Sequence, residues 1–184
     1  METLVVVAVI VVIALYVVGV YNGLVGKRNR VRNAWAQIDV QLKRRHDLIP
    51  NLVEAVKGYM SHERGVMESV TSARERAISA GNNVAERAEA ENGLTSALRS
   101  LFAVSEAYPD LKANQNMLAL QEELSSTENR VGFSRQAYND AVMEYNTARE
   151  TLPASLFAPS LGFTAEPLFT LTDEAERAVP TVQF

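Results

Sequence analysis

Very few side chains in this sequence could do covalent or metal chemistry. There are two histidines, His46 and His62, and no cysteine. His62-Glu63 has the opening of a zinc-protease helix, but the position four residues on, where a second imidazole is needed, holds Val66. His46 and His62 stand sixteen positions apart, so on one helix they point to nearly opposite sides and cannot share a metal. No thiol is available as nucleophile or ligand, and no glycine-rich loop follows a strand to cradle a phosphate. Adjacent carboxylates such as Glu122-Glu123 and Asp173-Glu174 fit solvated helix faces. The side chains therefore predict no catalysis, no metal and no cofactor.

What remains is polar chemistry inside helix contacts. Arg45, Asp47 and Asn51 lie in or beside an apolar stripe, and Glu128, Asn129, Arg135, Asn139, Asp140 and Asn146 do the same further along the chain. Buried polar groups at such positions fix helix register and partner choice at a cost in stability. The expectation is an inter-helix network in which Arg45 pairs with an acid of the third long helix, Glu128 or Asp140.

The elements that would position these groups are all helical. From Leu24 onward apolar residues recur at alternating steps of three and four, among them Val31, Trp35, Ile38, Leu42, Ile49 and Leu52, the period of a helix in a left-handed bundle. This seam, for bundle packing or subunit contact, continues past Pro50 to Ala77, which predicts one helix over about 24–80, kinked near residue 50, with a break into two helices there as the alternative. Gly81-Asn82-Asn83 ends it and caps a second helix over 84–108, whose Ala- and Glu-rich first half looks weakly held. Pro109 stops that helix, and Asp110 is placed to cap a third over 111–152. Met117, Leu124, Val131, Tyr138, Tyr145 and Leu152 repeat there every seven residues, and Gly132 suggests a close helix contact. A tail over 153–184 follows, with a short helix expected at 173–178.

Before all of this comes an apolar run, Leu4 to Tyr21, with no charge between Glu2 and Lys27. Its 18 residues rise about 27 Å as a helix, close to the roughly 30 Å hydrocarbon core of a bilayer. Residues 1–22 thus read as a transmembrane anchor and 23–152 as the helical bundle; the alternative, a cleaved secretory signal, is disfavoured because no basic residue precedes the run and no small-x-small cleavage site follows Ala14. Residues 22–45 carry seven Lys/Arg against one acid, while the chain beyond carries 11 against 20. That excess predicts an outside N-terminus and a cytoplasmic bundle, with Lys27, Arg28, Arg30 and Arg32 against lipid head groups. The acidic bundle argues against nucleic acid as a partner. The two long helices outrun the second one, so a bare seam would need covering by further copies of the chain, or by the tail folding back.

The run Asp39-Val40-Gln41-Leu42-Lys43-Arg44-Arg45-His46-Asp47-Leu48-Ile49-Pro50-Asn51-Leu52-Val53, after Tyr21-Asn22-Gly23-Leu24, closely resembles the bacterial LemA family. Tyr108-Pro109-Asp110-Leu111-Lys112-Ala113, Glu128-Asn129-Arg130, Arg135, Tyr138-Asn139-Asp140, Tyr145-Asn146-Thr147, Pro153 and Gly162-Phe163 are similar to its later motifs in the same order, as are Pro180 to Phe184. The resemblance implies a single-pass protein of the bacterial inner membrane: one N-terminal transmembrane helix continuing into an all-α, antiparallel up-and-down bundle of three to four long helices with coiled-coil-like packing. It implies no established reaction. Family associations with membrane stress, membrane metalloproteases and magnetosome membranes imply a homo-oligomeric scaffold or adaptor, with the bilayer and another membrane protein such as a protease as partners. The alternative is a membrane-organising oligomer, and less favoured still an enzyme with an unrecognised site.

Overall fold

The first helix, α1 (Glu2–Lys57), runs 56 residues without interruption, through Pro50. It is followed by α2 (Arg64–Ser79), α3 (Val84–Ser105), α4 (Pro109–Lys112), α5 (Gln115–Glu150) and α6 (Ala154–Phe157). This computed structural model describes residues 1–60 and 62–170, and among them there is no strand. The expected helix at 173–178 and the closing residues 180–184 lie outside the described residues. The chain divides into two compact units, one of residues 1–38 with 134–168 and one of 39–133 with the segment from Phe169; α1 and α5 each contribute to both.

In the first unit, α1 has no buried residue before Leu24. From there Leu24, Val31, Ala34 and Ile38 are buried, at steps of seven, three and four, and α5 contributes Tyr138, Val142 and Tyr145. The Trp35 and Tyr138 rings meet at 5.3 Å. After α6 the chain turns at Gly162, whose φ of +74° favours a residue without Cβ, and Phe163 is buried.

The second unit has a core of Ile49, Leu52, Val56 and Met60, then Met67, Val70, Ala73 and Ala77 of α2, Leu94, Leu98 and Leu101 of α3, Leu111, and Met117 and Leu124 of α5. Gly81 takes φ +64° after α2, and the Asn83 side chain accepts from the Ala85 and Glu86 amides at the start of α3, satisfying two of the donors a helix start leaves open.

Four expectations need correction. The chain does not run as one helix to residue 80. It leaves the helix at Gly58, makes a turn in which Met60 N donates to Val56 O and Glu63 N to Met60 O, and reverses, so that Arg74 lies against His46. The apolar seam survives because α1 and α2 each bury a stripe of the same period on a shared core; periodicity alone does not distinguish one long helix from two packed side by side. The long third helix starts at Gln115, where the Asn114 side chain accepts from the Asn116 and Met117 amides. Asp110 sits instead in the four-residue α4. A Cβ added at Gly132 meets nothing within 4 Å, so no close helix contact requires that glycine. Finally, the seam is not bare: Val31, Ile38, Leu42, Ile49 and Leu52 are each buried within the chain, and Trp35 is half-buried.

Candidate functional sites

In the second unit Arg45, His46 and Glu91 are buried together. The cap at Asn83 sets the register of α3 so that Ala88, Glu91, Leu94 and Leu98 face inward. Arg45 Nη1 donates to Glu91 Oε2 at 3.4 Å, and Nη2 donates to Thr95 Oγ1 at 2.7 Å. The other Glu91 oxygen lies 2.7 Å from His46 Nε2; a carboxylate only accepts, so the imidazole N–H is the donor. One carboxylate thus serves two neighbours on α1 with its two oxygens. Glu128 approaches Arg45 Nη2 at 3.9 Å from a side chain 56% exposed. Arg45, Thr95, Gln121 and Glu128 line an open cavity of about 290 Å³. The cluster is closed on the Glu91 side and reaches water on the Glu128 side. A charge buried this way is tolerated only because it is paired and hydrogen-bonded.

Pro50 completes the arrangement. In a regular helix the amide of residue 50 would donate to the carbonyl of residue 46, and proline has no such amide. The freed His46 carbonyl accepts instead from Arg74 Nε of α2 at 2.7 Å. A helix-breaking residue therefore leaves α1 unbroken and creates the acceptor that ties α2 to it, directly behind the residue that binds Glu91.

In the first unit the site is of another kind. The segment after Gly162 runs back along α5, and α5 holds it by its main chain. Tyr145 Oη donates to Thr164 O at 2.9 Å, and Tyr138 Oη donates to Pro167 O at 2.9 Å. Asn146 Nδ2 donates to Glu166 O at 2.9 Å while its Oδ1 accepts from Glu166 N at 3.0 Å. Phe163 meets the Tyr21 ring edge-on at 5.5 Å and lies 4.8 Å beneath the Arg28 guanidinium. Burial, and then the Glu166 carboxylate, push the Tyr138 hydroxyl from its usual 10.0 up to about 12. The same two causes raise Tyr145.

Three of the four expected membrane-facing cations have protein partners. Lys27 donates to Glu144, and Arg30 reaches the same carboxylate at 3.2 Å. Their charge, through the Lys27 hydrogen bond first, holds Glu144 below the usual carboxylate range. Arg28 stacks on Phe163, and Arg32 is exposed. Of the expected polar network, Arg45 is at the centre and Glu128 at its edge. Asp47 is exposed and lies 3.8 Å from Lys43, Asn51 and Asn129 are exposed, and Arg135 and Asn139 are half-buried. Asp140 is exposed and belongs to the first unit, and the acid that Arg45 meets most closely stands on the second long helix. Glu91 falls three residues after Ala88 and three before Leu94, inside the stripe of α3. That spacing marks it, but the Ala and Glu residues around it mask the stripe in the first half of the helix. Among the described residues no group of three or more His, Asp or Glu is placed to hold a metal ion.

Comparison with known proteins gives these sites a family. The chain is 25% identical to Protein LemA of Metamycoplasma hominis over 144 residues, 78% of this chain and 66% of that protein. It is 21% identical to the magnetosome protein MamQ of Magnetospirillum gryphiswaldense over 168 residues, 78% of this chain and 62% of that protein. It therefore spans slightly less than two thirds of the length of either relative. Neither name specifies a reaction. Residues 34–184 match the LemA family, a stretch that holds both the buried ion cluster and the α5 clamp, and the chain belongs to that family.

Proposed function

We propose that this is a membrane-anchored, self-assembling helical scaffold or adaptor that carries out no reaction of its own. One observation carries the reading. α1 is a single helix whose apolar beginning buries nothing inside the chain, and whose later turns supply buried residues from Leu24 to Val56. Such a helix places a bundle at a fixed continuation of its anchor, and its action is positional. The basic excess just after the apolar run favours a cytoplasmic bundle. The covered seam removes one motive for assembly, so self-association has to come from surfaces other than the bundle's core.

The test is the state of the full chain in membranes. It should resist alkaline extraction and, after detergent solubilisation, run as a particle of several copies or with a second membrane protein bound, a protease being the first to look for. A lone monomer with nothing attached would overturn the scaffold. A second reading, an oligomer that organises the bilayer, draws on the similarity to a magnetosome protein. Anionic liposomes separate the two, since a pure adaptor leaves vesicle shape unchanged. Hydrolase activity lost on Glu63→Ala or His62→Ala would defeat both.

A further inference from the structure

The tail contact in the first unit has an uncommon property: each hydrogen bond that Tyr138, Tyr145 and Asn146 make to it ends on the backbone. From Thr164 to Pro167 an extended chain advances about 10 Å at roughly 3.3 Å per residue. From Tyr145 back to Tyr138 the helix covers about 10.5 Å at 1.5 Å per residue. The two pitches agree for the two tyrosines, which lets them follow the antiparallel segment without a sheet, while Asn146, one residue beyond Tyr145, reaches Glu166 from the neighbouring side of the helix. Asn146 makes the paired N–H and C=O contacts with Glu166 that a neighbouring β-strand would make.

Two features narrow what fits. An aromatic residue must precede the clamped stretch, because the Phe163 pocket combines the Tyr21 ring edge with the Arg28 guanidinium. The rim is basic: the charges of Arg28, Arg149 and Arg32 act on the Tyr145 hydroxyl at the place where the segment brings Glu166. The ligand chemistry is an extended peptide of the form Phe-x-x-Glu, bound by its main chain.

We propose that this face is a peptide-binding site, and that besides the chain's own residues 163–167 it takes the same segment of a second copy. The proposal rests on the self-assembling reading and supplies its contact. The hydrogen bonds, the aromatic anchor and the charge match are the same whichever copy donates the segment, so own and exchanged forms differ mainly in the closure cost of the connector and in the concentration of other copies. Anchoring copies in one membrane raises that concentration.

Because the chain has no cysteine, introduced thiols are unique. Full-length Asn146→Cys and Glu166→Cys chains, differently tagged and mixed in liposomes, should form a mixed disulfide under mild oxidation. A Gln136→Cys and Glu166→Cys pair, with the first thiol on an exposed position of α5, gives the background. Mixed dimer no higher than background, while the doubly substituted chain closes on itself, would overturn the exchange. Loss of that contact in a particle still of several copies leaves the scaffold standing, whereas a lone monomer removes both. Should Asn146→Cys unseat the tail, a second measurement uses the unaltered full chain and a peptide of residues 161–169 with a photoreactive group at position 163. The peptide should label the chain, and methylation of its residue 166 amide should weaken labelling about tenfold, the loss of roughly one hydrogen bond. Alanine at positions 164 and 165 should leave labelling intact. Equal labelling by the methylated peptide, or none by the unmodified one, would overturn backbone reading.

Discussion

The two units solve the same problem, holding one segment against a helix, with opposite chemistry. In the second unit charge holds charge: Glu91 is useful only because Arg45 and His46 stand where its two oxygens point. Replacing Glu91 leaves His46 without its acceptor and Arg45 with only Thr95 and the exposed Glu128. In the first unit neutral hydroxyl and amide groups hold a peptide main chain, which every residue type offers. The first arrangement specifies residues and locks a fold. The second specifies a conformation and, apart from its Phe and Glu positions, accepts a range of residues, which suits a segment that changes partners.

The sharpest way to break this contrast is to remove Glu91. Glu91→Ala leaves Arg45 with only Thr95 and the exposed Glu128, and His46 without its acceptor, and breaking a buried pair costs about 3–5 kcal/mol. The loss would appear in urea unfolding of the solubilised full chain followed by far-UV circular dichroism. Arg45→Met with Glu91→Leu should recover part of it, since an apolar pair of similar volume has no charge to strand, while the buried His46 N–H stays without its acceptor. A cost for Glu91→Ala below about 1 kcal/mol, the range of exposed pairs, would mean that the cluster is solvated and the contrast false.

Asn146→Ala should cost less, about 1–3 kcal/mol, because it leaves a backbone N–H and C=O of Glu166 without their partner. The loss should be local: faster hydrogen exchange at the Glu166 amide and faster proteolysis over 160–168, with the second unit's unfolding unchanged. Thr164→Ala, which keeps the main chain, should leave exchange near its original rate. If it loosens the tail as much as Asn146→Ala does, the site reads side chains after all.

Alkali tests the same clamp more gently, through a single donor. Tyr138 holds its proton up to about 12 in the folded chain against 10.0 when free. Its contribution is therefore fully present below pH 10 and lost as pH rises through about 12. Ultraviolet titration should show a late tyrosinate step accompanied by faster exchange at 164–167, and Tyr138→Phe should remove that step. A Tyr138 that ionises near its free value would show that the Pro167 contact is not held in solution.

How much of this was legible beforehand depends on whether a feature is local. The apolar run, the helical period and Asn83 at the head of α3 are written in consecutive residues, and so is Arg45 in its seam. The reversal at 58–63 was hidden because the stripe of α2 continues the period of α1. Glu91 was hidden by its polar neighbours, although its place between Ala88 and Leu94 was visible. The clamp was not legible at all, since hydrogen bonds to a main chain leave no mark on the sequence of the segment they hold. Tyr138 and Tyr145 read as heptad residues, and Asn146 as one of the polar groups beside the seam, with nothing to mark a main-chain partner.

Pro50 joins the two kinds of contact, because there a charged side chain, Arg74, binds a backbone acceptor that is free only through the missing amide. Pro50→Ala restores the helical donor to the His46 carbonyl, which then shares itself between that amide and Arg74. A double-mutant cycle of Pro50→Ala and Arg74→Met should return a coupling of about 1 kcal/mol, with Arg74→Met costing less in the alanine background than in the native one. Strict additivity would show that Arg74 acts by packing along α2 alone. The proline would then be an interruption that α1 tolerates, and the tie between α1 and α2 would belong to their apolar stripes.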